Sequence, residues 1–210
     1  MKVLMHPTYF PSIAHFVAMI QAETLIFEIS DNYQKQTYRN RSYIAADTGK
    51  LMLTIPIKHI GRGTKQQYKD VKVDNDYPWQ RQHWRTLETA YRTSAFFEFY
   101  EDEIRPLYAK KHQFLLDFNL ETTACICDFL QLDMPTLKTT SYEKEPTDCI
   151  DGRFLIKAKN NINFKQENYF QVFNDRNGFI ENCSILDLLF NEGTNTLSYL
   201  QQHLIDYANA

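Results

Sequence analysis

Two short apolar runs, in KVLMHP from Lys2 and in TLIFEIS from Thr24, bracket a segment in which Ile13, Phe16, Val17 and Ile20 recur at three-and-four spacing. The runs read as buried strands and the spacing as a helix with one buried face. Strand, turn, helix and strand within about 30 residues predict a βαβ unit with parallel strands. Further on, residues 39–46 and 51–57 form a hairpin about the turn Asp47-Thr48-Gly49-Lys50. Residues 68–74 alternate as one more strand. From Pro78 a helix puts Trp79, His83, Leu87, Ala90, Tyr91 and Ser94 on one face and Arg81, Arg85, Glu88 and Arg92 on another. Residues 96–100 continue it or break just after, and Pro106 cuts 104–109 short. A second long helix covers 112–132 and is expected to pack on the first. Residues 136–141 and 169–173 read as strands, 142–151 as a charged loop, and 152–163 carry no clear pattern. Ser184 starts a compact helix that Gly193 stops, and a last helix runs from 196 to 207. With no repeat and no linker, residues 1–210 read as a single α/β domain: a mostly parallel sheet opening with a βαβ unit, plus a β-hairpin and a helical half.

Composition narrows the classes. At 43% hydrophobic and 23% charged residues, the chain is an ordinary soluble globular one, long enough for one sizeable core. A net charge of -3 leaves no basic excess for nucleic acid, so no nucleic acid is expected as a partner. The 15 Phe and 13 Tyr suit a core and a sugar or nucleotide site equally. Cys125 and Cys127 are too close to bridge within a helix, and Cys149 and Cys183 are isolated. No Cys or His spacing recurs as metal ligands, so no metal and no cofactor is expected. Without a secretory leader or an apolar run near 18 residues, the chain reads as reduced and cytoplasmic, with no membrane span. Oligomeric state stays open.

Parallel sheets of this kind place ligands beyond the carboxyl ends of their strands. Two polar segments fall there, residues 6–12 and 31–35. In the first, Ser12 can cap the helix, leaving main-chain N–H groups and the positive dipole end facing an anionic group. His15, in the first turn, reaches the same ligand; alternatively His6 is a hydrogen-bonded strand-end residue and His15 a surface one. Arg39, Arg41 and Tyr43 share one strand face, with Asn40 on the other. Two neighbouring arginines need a negative group, either a protein carboxylate or a bound phosphate or carboxylate. Arg41 is expected to take that anion. The polar, glycine-bearing stretch 59–67 either closes over it or is a solvated connection. His83, one turn from Trp79 and Leu87, is expected to be buried in a structural or supporting role, and becomes catalytic only if it opens to the cleft. His6, Asp31, Lys35, Asn40 and Arg41 should converge on one cleft. There His6 is the acid/base titrating near neutral pH, Asp31 activates the acceptor, and Lys35 and Arg41 neutralise ligand charge.

These residues together resemble the WbqC-like family. The likeness rests on MHPTYFPSIAHF, matched at His6, Tyr9, Phe10 and Pro11; on Asp31, Lys35, Tyr38, Asn40 and Arg41; on LTIPI at 53–57; on Trp79 and His83; and on SILDLLFNEG at 184–193. Pro7-Thr8 stands where the family often has Gln-Pro-Asn, Tyr38 replaces a tryptophan, and His15 replaces a common aromatic. The resemblance implies Tyr9 as a substrate contact and His83 as a site residue. It also implies a role beside surface-polysaccharide (O-antigen) genes, as acyl or aminoacyl transfer to an amino sugar or nucleotide sugar. The expectation is therefore a transferase acting on an anionic small molecule, a nucleotide sugar or an activated acyl donor. Two alternatives stand: a nucleotidylyltransferase-like enzyme using His6 and His15, although no glycine precedes His15, or a non-catalytic binding or assembly protein of the pathway.

Overall fold

The computed structural model describes residues 1–59, 61, 65–158, 162 and 164–207. Strand β1 (Lys2–Met5), helix α1 (Ile13–Gln21) and strand β2 (Thr24–Phe27) form the opening unit, with β1 and β2 parallel and Val3 opposite Leu25. The antiparallel hairpin β3 (Arg41–Ala46) and β4 (Gly49–Thr54) stands apart from this sheet. Three helices follow: α2 (Trp79–Tyr91), α3 (Phe97–Ala109) and α4 (Leu115–Phe129). Two-residue strands β5 (Leu137–Lys138) and β6 (Ile150–Asp151) then complete the sheet, and α5 (Asn174–Asn177), α6 (Ile185–Glu192) and α7 (Thr196–Gln201) close the chain.

All four sheet strands run parallel, in the order β5-β2-β1-β6. The sheet grows from β1 outwards first on one side and then on the other, so a crevice opens where the order reverses, between β1 and β6. Val3, Met5, Leu25 and Phe27 face the core with Ile13, Phe16 and Val17 of α1. The alternate residues Leu4 and Ile26 meet residues of the 138–149 segment, which crosses that face in place of a helix. Gly152 hugs β1: its N–H donates to Leu4 O at 2.8 Å, and a Cβ there would sit 3.1 Å from that same oxygen. Gly193, at φ +54°, ends α6 where a Cβ would strike the Phe96 ring.

The structure corrects several expectations. Residues 97–109 form one helix through Pro106; that residue is exposed, so water can satisfy the carbonyl left without an N–H partner. The two long helices pack mainly through α3, although the Trp79 and Phe118 rings meet directly at 5.4 Å. Residues 68–74 are a 3₁₀ turn, Tyr68–Asp70, followed by isolated bridges rather than a strand. Residues 169–173 form no strand. Helix α1 is buried from Ile13 to Met19, not on one face alone, because α6 and α7 cover its outer side.

Candidate functional site

The residue after each central strand end supplies the chemistry. His6 follows β1 directly. After β2, Glu28 folds the turn around its own carboxylate: Oε1 accepts from the N–H of Ser30 (2.8 Å), the N–H of Asp31 (3.1 Å) and the hydroxyl of Thr139 (2.8 Å). That turn aims Asp31 at His6, with Oδ2 3.1 Å from Nε2. Arg39 comes from a turn before β3. Its Nη2 pairs with Asp31 Oδ2 and lies 2.5 Å from His6 Nε2.

Arg39 is fully buried and held from several sides. Nη1 donates to Asn32 O at 3.3 Å, the guanidinium stacks 5.1 Å from the Tyr68 ring, and Asn119 Nδ2 donates to Arg39 O at 2.6 Å. Tyr68 OH donates to Pro7 O at 2.7 Å, tying this cluster to the loop that carries His6. Burial, reinforced by the Arg39 charge, pushes the His6 pKa down to about 4, despite the opposing pull of Asp31. For Asp31, burial works to raise the pKa, but the His6 contact and the Arg39 charge outweigh it and hold the carboxyl below its ordinary value. At neutral pH the imidazole is therefore neutral and the carboxylate ionised. The expectation of a histidine titrating near neutrality is corrected accordingly: nothing around His6 compensates its desolvation well enough.

Across the crevice, Arg153 grips Asp151 with two bonds, Nε to Oδ1 at 2.8 Å and Nη2 to Oδ2 at 2.7 Å. It also donates to the carbonyls of Glu143 (2.7 Å) and Lys144 (3.0 Å), lies 5.1 Å from the Tyr142 ring, and approaches Glu28 Oε2 at 3.8 Å. The cavity between the two groups is about 440 Å³. Its walls include His6, Asp31, Tyr142, Lys144, Asp151 and Arg153, with Lys157 and Tyr207 at its far side. It is large enough for one sugar-sized metabolite and carries charges of both signs.

Of the residues singled out in the sequence, His6 and Asp31 meet here. The others lie elsewhere. Lys35 is exposed on a turn and is not among the residues lining this cavity. Asn40 is buried, its Nδ2 donating to Ile55 O at 3.1 Å, which fastens the hairpin. Arg41 pairs with Thr54 in β3, half-buried and likewise away from the cavity walls. Tyr9 and His83 belong to an aromatic core: Tyr9 OH lies 2.9 Å from His83 Nδ1 and 2.7 Å from Tyr108 OH, with the Trp79 ring 5.3 Å from His83. His83 is thus buried in a supporting place.

His15 is buried rather than at the surface, with Ser12 Oγ 3.0 Å from Nδ1, and burial pushes its pKa to about 3. Nor does the α1 N-terminus present free N–H groups to an anion. Ile13 N–H donates to Cys183 O at 3.0 Å, Ala14 N–H to Asn182 Oδ1 at 3.0 Å and His15 N–H to Ser12 Oγ at 3.4 Å. Residues 60 and 62–64 of the expected closing stretch 59–67 lie outside the described residues.

The sequence does not single out Glu28, Asp151 or Arg153, and it offers Arg39 a protein carboxylate, which Asp31 supplies, without placing Arg39 in the site. The Arg39 signal was visible but assigned by strand parity to the same face as Arg41, whereas residues 38–40 form a turn and the strand begins at Arg41. For the other pair, the only signal was an apolar Cys149-Ile150 step before Asp151-Gly152, echoing the way β1 ends at its polar loop. Among the described residues, no group of three or more His, Cys, Asp or Glu is placed to hold a metal ion. No helix among them is long and apolar enough to cross a membrane.

Comparison with known proteins bears on this arrangement. An uncharacterized protein of Mycobacterium tuberculosis, Rv1507c, is 24% identical over 224 residues, covering 94% of this chain and 96% of that protein. No solved structure matches. The WbqC-like protein family matches residues 6–156, a span that starts at His6, includes Arg153 and stops short of the Ser184–Gly193 element. The chain belongs to the WbqC-like protein family.

Proposed function

We propose that this protein is a transferase that moves an acyl or aminoacyl group to an amine or hydroxyl of an anionic sugar-type metabolite, of the kind used in surface-polysaccharide assembly. One observation carries the reading. A neutral imidazole and an ionised carboxylate, His6 and Asp31, sit together on the wall of a 440 Å³ cavity at the reversal point of a parallel sheet. A protein built only to bind has no need to bury this pair around an arginine, since desolvating charge opposes folding. Lys144 and Lys157 on the cavity wall suit phosphate or carboxylate groups, and the Tyr142 ring suits a sugar face. Asp31, held beside His6, takes the proton lost by the attacking group.

The nucleotidylyl alternative is less well supported. The α1 N–H groups are occupied by Cys183 and Asn182, and His15 is turned into the protein against Ser12. Isothermal titration against a panel of nucleotide sugars and activated acyl donors tests the transferase reading. Binding of a member of the panel, lost in Asp31→Asn, with product formed only by the unaltered protein, is the expected result. A protein that binds none of them, or that binds pathway enzymes and works unchanged with His6→Ala, is an assembly factor instead.

A further inference from the structure

The contact between Arg39 and His6 decides where the imidazole proton sits. A guanidinium has five N–H donors and no acceptor, and it stays charged in proteins. At 2.5 Å from Arg39 Nη2, His6 Nε2 must therefore present its lone pair. Asp31 Oδ2, 3.1 Å from the same nitrogen, would need a proton on Nε2 to form a hydrogen bond there. The two demands conflict. The arginine contact is shorter and its donor cannot reverse roles, whereas the carboxylate already receives Arg39, so the arginine decides.

We propose that Arg39 is a positioning residue that holds His6 as the neutral imidazole with its proton on Nδ1, so that Asp31 and not His6 receives the substrate's proton. Two observations agree. His6 Nδ1 is buried without a partner among the described residues, so no acceptor or donor on that side competes with Arg39 in setting the tautomer. Among the described residues Asp31 meets its side-chain partners through Oδ2, and the residue lines the cavity, so Oδ1 is left for a ligand. The charged and titratable groups set against His6 are Asp31 after β2, Arg39 before β3, Asp151 and Arg153 at β6, and His15 in α1. Tyr68 meets the ring edge-on at 6.3 Å.

The chemistry that follows rests on the transferase reading. An amine attacks the carbonyl carbon of an activated acyl donor, forming the C–N bond while the carbonyl oxygen gains negative charge. Asp31 Oδ1 takes the proton from the attached nitrogen. The bond to the leaving group then breaks, and that group departs with the proton from Asp31. His6, whose Nε2 lone pair is taken by Arg39, is then not the base.

The tautomer is readable without any substrate, so it can fail while transfer stands, and the reverse. Long-range ¹H–¹⁵N correlation spectra of the labelled full chain, with His6 identified by its absence in His6→Gln, report which ring nitrogen is protonated. The expected result is a proton on Nδ1 at pH 7 and no titration of His6 between pH 8 and 5. Arg39→Lys, which also only donates, should keep the proton on Nδ1. Arg39→Gln should move it to Nε2 and raise the titration toward 6.5. A proton on Nε2 in the unaltered protein, or a His6 titrating near 6.5, overturns the proposal even if the Arg39 variants do not fold.

Discussion

Two buried histidines in this molecule share a titration and nothing else. Burial pushes both His6 and His83 to about 4, the latter only slightly opposed by the Thr54 backbone. His83 has neutral aromatic partners on its sides, Tyr9 stacked at 5.7 Å and Trp79 edge-on, and does not line the cavity that His6 lines. His6 has a carboxylate, a guanidinium and a cavity wall. A depressed histidine therefore marks burial; charge partners and access mark chemistry. The carboxyls teach the same lesson. Asp187, wholly buried among the donors Tyr91, Tyr169 and Gln171, is pushed up by burial because those neutral donors only partly offset it. Asp31 has Arg39, and stays ionised.

The strongest way to break this contrast is to remove the arginine. Arg39→Met leaves the Asp31 charge without its counter-ion and should lower stability by roughly 3–5 kcal/mol in urea unfolding. A loss under about 1 kcal/mol would mean the pair is solvated and the contrast with Asp187 illusory. Next come the histidines themselves. His83→Ala should cost about 2–4 kcal/mol of stability, as a core truncation that also takes one of two hydrogen-bond partners from the Tyr9 hydroxyl, while ligand binding at the cavity persists. His6→Ala should do the opposite, removing turnover with a smaller loss of stability.

Acid sharpens the comparison further. His6, His15 and His83 all titrate lower in the folded chain than the ordinary 6.5, so the unfolded chain binds more protons and stability rises with pH across that window. Their contribution is complete above 6.5 and is lost as pH falls towards 4 for His6 and His83 and towards 3 for His15, on the order of 3 kcal/mol for each of the first two and more for His15. A bound anionic ligand should protect the His6 share only, so unfolding curves at pH 5 with and without ligand separate the two regions. The smallest effect concerns the lysines. Lys144→Ala should weaken anion binding a few-fold, about 0.5–1 kcal/mol, and Lys35→Ala should leave it unchanged; equal effects would move the site towards the β2–β3 connection.

The opening unit, the hairpin, α2 and the capped α6 were legible because each advertises itself locally, by period, turn residues or a Ser12 or Ser184 cap. His6 and Asp31 were legible for a related reason, since polar residues just past two apolar runs fall at the same sheet edge. Arg39 was misplaced by one rule applied too early, because strand alternation holds only from Arg41 onward. Asp151 and Arg153 were invisible for a different reason. A two-residue strand has no period of its own, and β6 exists only because β1 offers an unpaired edge and Gly152 can lie against it. Tertiary context overrode the charged, loop-like composition of residues 142–151.

That pairing of Val3 with Ile150 also sets the order in which the molecule becomes competent. Its partners are separated by most of the chain, while β1 and β2 close over a short loop, so the second pairing carries the larger entropy of closure and is expected to form late. During synthesis, the strand that opens the chain must wait with one edge bare until the segment carrying Asp151 and Arg153 has left the ribosome. A nascent chain halted before that point can hold its opening βαβ unit but has no second wall to its cavity, so nothing that fits the finished cavity can bind it or hasten its folding.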